Sequence, residues 1–212
     1  MLIINCETRL KMKFYKLFSI SLIWILLAGF KPVNAAEKTK KIYFESDKQQ
    51  IESLIRKAYE WIETKKTKND FDVVANKKGD KYVALNIKTH NKIVEELKKS
   101  NFFAQQFIDN YNKIGLKIGD NLKTNKATYF VGELPPYGND SNPWCDCQDN
   151  PEKFWKTLKV NNLKIENDKA TFFWTWTEWK ETPKYKVTAV KENGIWKIAV
   201  LDGFNYKSFL GL

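Results

Sequence analysis

Histidine, cysteine and arginine are nearly missing from this chain, which has one His, three Cys and two Arg in 212 residues. One His and three Cys, scattered from Cys6 to Cys147, make only a weak set for a structural zinc, which takes four nitrogen or sulfur ligands. With Arg limited to Arg9 and Arg56 there is no surface of bidentate forks for phosphate, and no Lys stretch is dense enough for a nucleic-acid arm. Nucleic acid is therefore not an expected partner. Gly-x-Ser-x-Gly and Gly-x-x-x-x-Gly-Lys are also absent, which removes the nucleophile elbow and the phosphate loop. What the chain has in plenty is lysine and aromatic rings: the net charge is +11, and 15% of residues are Phe, Tyr or Trp. Lysine spread this evenly reads as a solvated surface, although a positive chain can also attract acidic partners.

Long apolar runs are absent too. The longest, Leu17 to Phe30, has 14 residues, against the ~20 that a membrane-spanning helix needs. Arg9, Lys11, Lys13 and Lys16 precede it and Val33-Asn34-Ala35 follow, the three parts of a secretory signal peptide cut after Ala35. Phe30 stands where a lipoprotein would carry its lipid-bearing cysteine, so no lipid anchor is expected. Met12-Lys13 makes a more ordinary start and marks residues 1–11 as a candidate upstream extension. The expected layout is a cleaved signal at 1–35, a flexible lysine-rich tail at 36–46 and one α+β domain at 47–212. The expected location is the periplasm or another exported location, with no stable membrane anchor after cleavage. The signal carries five Lys or Arg and one acidic residue, so its removal leaves a net charge of +7.

Export would leave two cysteines, Cys145 and Cys147, within "SNPWCDCQDNPEKFW". In an oxidising envelope such a pair forms a disulfide. An extended i to i+2 span is about 7 Å between Cα atoms, whereas disulfides prefer about 4.4–6.8 Å, so the chain must bend at Asp146. So small a ring removes little unfolded-state entropy, and its effect is local, on Trp144, Asp146 and Gln148. A zinc site would need ligands beyond the pair and His90. A redox-active pair is the other alternative, yet Pro143 and Asp149-Asn150-Pro151 describe a turn-rich loop, not the helix start that thiol oxidoreductases use. The residues favour a structural or site-shaping bridge.

Along the remaining chain, Ser46 and Gln49 form a capping box that would open a helix. Ile51, Leu54, Ile55, Ala58, Tyr59 and Ile62 make its apolar stripe. "DFDVVANKKGDKYVALN" suits either short strands or loop. "THNKIVEELKKSNFFAQQFIDNYNKIG" predicts one or two helices stopped by Gly115 and Gly119, with His90 at the helix start in a capping or exposed role. Residues 120 to 150 read as a long irregular segment. From about residue 157 the period changes to alternation, with turns at Asn167-Asp168 and Asn193-Gly194. Phe172, Trp174 and Trp176 share one face of the second strand, and Phe173, Thr175, Thr177 and Trp179 the other. Trp174 and Trp176 are expected in the core, and Trp179 is a surface candidate.

Helices followed by a curved antiparallel sheet of three or four strands is the element order of the nuclear-transport-factor-2-like, or cystatin-like, cone. "NPWCDCQD", Asn142 to Asp149, resembles the Asp-Pro-x-Cys-Asp-Cys-Gln-Asp signature of the YbjP/YqhG family of bacterial envelope proteins of unknown function. "KENGIWKIAVLDGF", Lys191 to Phe204, is similar to that family's last hairpin. Asn142 departs from the signature, standing where the family often has Asp, which weakens any metal-binding role there. The resemblance implies an exported domain with a one-sided pocket and no established enzyme activity.

No catalytic residue, cofactor or metal is expected. His90 is a poor candidate for a general base at a helix end, and Asp140, Asp146 and Asp149 lack the regular spacing of a calcium loop. The expected function is a non-catalytic binding or accessory module acting on an envelope protein or small ligand. Its candidate contact residues are Trp144, Asp146, Gln148, Asp149 and Trp179. The alternatives are an immunity-type inhibitor of a toxin, and an isomerase- or dehydratase-like enzyme. A buried carboxylate facing an open pocket would favour the enzyme.

Overall fold

The computed structural model describes residues 35–65, 69–177 and 184–212. Residues 1–34 of the expected signal and the candidate Trp179 lie outside them. Helix α1 spans Ala35–Thr64. Its stripe from Ile51 to Ile62 is buried, as the periodicity requires. The helix does not begin at Ser46: it runs back to Ala35, so the lysine-rich stretch 36–46, expected as a flexible tail, is helical. That stretch contains neither Gly nor Pro and includes the strong helix formers Ala, Glu and Lys, so nothing in it interrupts a helix already nucleated downstream. Ser46 sits inside the helix and accepts a hydrogen bond from Gln50 Nε2 at 3.3 Å.

Two short strands, β1 (Val73–Ala75) and β2 (Tyr82–Leu85), pair antiparallel after α1. Helix α2, Ile87–Ser100, starts at Asn86, whose side chain accepts from the Thr89 amide, and ends at Asn101 in the left-handed region with φ of 59°. Helix α3 spans Gln105–Lys123. Gly115 and Gly119 therefore lie within α3 and do not stop it. Gly115 serves a close approach: a Cβ there would collide with the His90 ring. That contact corrects the reading of His90 as well. It is wholly buried on the inner face of α2 with Ile93, Val94 and Leu97, and Asn86 does the capping.

The rest of the chain forms a four-stranded antiparallel sheet in the order β3-β4-β5-β6: Lys159–Glu166, Lys169–Thr175, Tyr185–Glu192 and Ile195–Leu201. The tight turns take Asn167, Asn193 and Gly194 with positive φ, as hairpins of this hand need. Irregularities between Asn161 and Lys164 and between Thr188 and Ala189 bend and twist the sheet. Its inner face carries Phe172, Trp174, Tyr185, Val187 and Ile198, all buried. Helices α1 and α3 pack on that face, making an α+β fold of helices on a curved sheet. A last short helix, α4 (Tyr206–Phe209), follows the sheet. Among the described residues no helix is long and apolar enough to cross a membrane.

Between helices and sheet the space is filled by aromatic rings. Trp174 packs on Tyr59 with centroids 4.8 Å apart, on Tyr185 at 5.3 Å and on Phe154 at 5.9 Å. Trp176 joins this cluster through Phe154 and is buried with Trp174, so both are core.

Candidate functional site

The loop containing the two cysteines is fixed from below by its own backbone. Pro143 and Trp144 present their carbonyls to two buried hydroxyls: Tyr185 donates to Pro143 O and Tyr59 to Trp144 O, each at 2.5 Å. Trp174 Nε1 in turn donates to Tyr59 Oη. Burial raises both tyrosines well above the ordinary phenol range, which keeps them as neutral donors. Gly203 lies so close to the Pro143 carbonyl that a side chain there would clash, and its amide donates to Tyr185 Oη at 2.9 Å.

Asn142 organises the turn that follows. Its side-chain oxygen accepts from the Trp144 amide, and its backbone carbonyl accepts from both Cys145 and Asp146 amides. This is turn chemistry, which a carboxamide performs without a metal. Asp146 takes a φ of 51°, so the bend that ring closure requires falls on that residue. Cys145 and Cys147 are bonded, with Cα atoms 5.2 Å apart.

The small ring separates the candidate residues onto two sides. Trp144 points inward and is 3% exposed, packed against Phe103, Phe107 and Phe204. Asp146, Gln148 and Asp149 point outward and are exposed. Among them Asp146 accepts a hydrogen bond from Ser141 Oγ at 3.1 Å. Trp144 is thus a plug, while the three polar candidates form an outer rim.

Asp70, which no sequence motif marked, receives the plug. Trp144 Nε1 donates to Asp70 Oδ2 at 2.6 Å, Tyr111 Oη donates to Oδ1 at 2.7 Å, and Lys65 Nζ stands 3.4 Å from Oδ1. The Lys65 side chain is only 4% exposed and its ammonium also lies over the Trp144 ring, 4.9 Å from the centroid. Burial, followed by the charge of Asp70, raises the Tyr111 hydroxyl well above its usual range. The next residue, Phe71, holds a φ of 56° and stacks on Tyr111 at 4.7 Å. A cleft of about 240 Å³ opens beside this cluster, lined by Ile62, Glu63, Lys65, Asp70, Asn142 and Trp144.

Periodicity places Tyr59 and Tyr111 on inner helix faces but says nothing of their hydroxyls. The one available signal was that a buried tyrosine requires a polar partner. Lys65 and Asp70 follow α1 in the sequence, where no motif or periodicity sets them apart from surface charges. His90 Nε2 faces Asn112 Oδ1 at 3.0 Å, and Nδ1 has no partner among the described residues. With Asn112 Oδ1 as acceptor, the proton sits on Nε2. Burial lowers the His90 pKa, with the Asn112 bond opposing. Among the described residues no group of three His, Cys, Asp or Glu is arranged to hold a metal.

Comparison with protein-family models, with curated proteins and with solved structures finds no match for this chain.

Proposed function

We propose that this chain is an exported, non-catalytic binding or accessory module of the bacterial cell envelope, related to the YbjP/YqhG family. The observation that carries this reading is the division of the loop into a buried anchor and an exposed polar rim. Trp144, Tyr59, Tyr185 and Asp70 hold the loop rigidly, and Asp146, Gln148 and Asp149 stand outside it, held beside a bridged turn. Ordering a binding loop before it meets its partner lowers the entropy lost on association.

The packed interior also favours binding over chemistry. Where a cone would hold a substrate, Trp174, Phe154 and Tyr59 are in contact with one another. Asp70 is the observation on the side of an enzyme, since it is a shielded carboxylate beside a cleft. Its two oxygens, however, already accept from Trp144, Tyr111 and Lys65, and a base so engaged must give up a structural bond before taking a proton.

The test uses tagged protein recovered from the host envelope, with its N-terminus read by mass spectrometry and its neighbours captured by cross-linking. A chain starting near Ala36 is expected, with a reproducible partner lost in the Asp146→Ala, Gln148→Ala, Asp149→Ala triple variant. Recovery of unprocessed chain from the cytoplasm would refute export. Unchanged capture by the triple variant would refute the rim as the contact surface.

A further inference from the structure

A second polar surface, separate from the disulfide loop, lies along the middle of α1. There a groove of about 460 Å³ runs between α1, the α2–α3 connection and the β5–β6 hairpin. Ser46, Gln49, Gln50, Ser53, Ser100 and Asn101 contribute hydroxyl and carboxamide groups to it, and Leu54, Phe102 and Ile195 contribute apolar atoms. In a chain with 29% charged residues, only Lys57 among the eleven lining residues carries charge. We propose that this groove binds an uncharged oligosaccharide.

Position and hydrogen-bonding capacity both support the assignment. Gln49, Ser53 and Lys57 are four residues apart and form one line along the helix. Among the described residues their side chains hold no hydrogen bond, and neither does that of Asn101 on the facing wall. A carboxamide donates and accepts at once, as a sugar hydroxyl does, so unpaired Gln and Asn suit vicinal hydroxyls or an acetamido group. The apolar atoms of Leu54, Phe102 and Ile195 match the C–H face of a sugar ring, the usual division of labour in a ligand cleft. From Ser46 to Lys57 the wall is about 16 Å long, room for about three sugar rings. The near absence of charge argues against acidic polymers, which the lysine-rich remainder of the molecule would attract better.

An extended peptide is the rival occupant, because the edge of β6 borders the groove. Ile198 already exchanges backbone hydrogen bonds with Phe102 and Ala104, both at 2.8 Å. Two residues earlier, Trp196 directs its N–H and C=O to the same side, where no backbone partner lies among the described residues. That leaves one open register position, since Phe102 to Ala104 occupies the edge beyond it. Strand addition needs a run of such positions. A single fixed donor and acceptor instead adds to the hydroxyl-binding set.

This inference rests on the binding-module reading but uses a surface separate from the disulfide loop, so either can fail alone. The experiment titrates the mature chain with chitotetraose, maltotetraose, polygalacturonate and an uncharged hexapeptide, followed by amide NMR and calorimetry. Saturable binding of one of the two neutral sugars is expected below about 10 mM, with shifts confined to residues around 46–57, 100–102 and 195–196. The pair Gln49→Ala and Asn101→Gly should weaken it about tenfold without altering melting, because Gly adopts the left-handed conformation of Asn101 freely. The Asp146, Gln148, Asp149 triple variant should bind the sugar normally. No neutral-sugar binding, tighter binding of polygalacturonate or the peptide, or full affinity in the Gln49/Asn101 variant would each overturn the assignment.

Discussion

The C-terminal end of α1 and its middle treat polar groups in opposite ways. Near its C-terminus, Tyr59 donates to the Trp144 carbonyl and Lys65 pairs with Asp70, each shielded from water. Near its middle, Gln49, Ser53 and Lys57 reach into a groove and bond to nothing among the described residues. The first arrangement is stability: a buried polar group left unpaired is penalised, and here the Tyr59 hydroxyl and the Trp144 indole each have an acceptor. The second is available capacity, because solvent-exposed amides exchange water for ligand at little net loss. Substitutions at the two places should therefore differ in kind, one set unfolding the domain and the other leaving it folded.

The largest effect should come from Trp144→Ala, which empties the space against Phe103, Phe107 and Phe204 and strands Asp70. Removal of a buried aromatic costs about 3–5 kcal/mol, read as a shift of the denaturation midpoint. A loss under 1 kcal/mol, on the order of a surface change, would show that the ring is not a plug. Asp70→Asn should follow at about 2–3 kcal/mol, because an amide presents a donor where Trp144, Tyr111 and Lys65 all donate. Replacing Cys145 and Cys147 together by Ser should lower stability by less than about 2 kcal/mol, since the loop they close is so short. Thiol titration of the unreduced protein should find neither cysteine free.

A smaller effect is expected with pH. The unfolded chain protonates His90 near its ordinary 6.5, whereas the folded chain resists protonation to lower pH. The unfolded state thus binds more protons in that window, and stability falls as the pH drops below 6.5. Denaturation curves at pH 7.5 and 5 should separate in the wild type and draw together in His90→Gln. Smallest of all, Gln49→Ala and Ser53→Ala should change stability by no more than about 0.5 kcal/mol. A larger loss would mean that the groove polar groups support the fold, and the contrast between the middle and the C-terminal end of α1 would collapse.

Much of the fold follows from patterns of short range. The stripe Ile51 to Ile62 is visible because a helix repeats every 3.6 residues, and Phe172, Trp174 and Trp176 share a face because a strand alternates. The hairpins at Asn167 and Asn193 follow from residues that tolerate positive φ. Even the bend at Asp146 could be derived from the reach of two side chains. What periodicity cannot carry is the partner of a group across the fold. Gly115 looks like a helix stop until His90 is seen to occupy its face, and Asp70 looks like a solvated charge until Trp144 arrives from 74 positions away. The groove likewise joins residues 46–57, 100–102 and 195–196, segments that meet only when α1 lies across the β6 edge. Local sequence determined the elements and their inner faces, because those depend on backbone geometry and apolar spacing. Tertiary structure decided which polar groups are paired within the fold and which stay open to solvent, because that depends on neighbours the chain acquires only by folding.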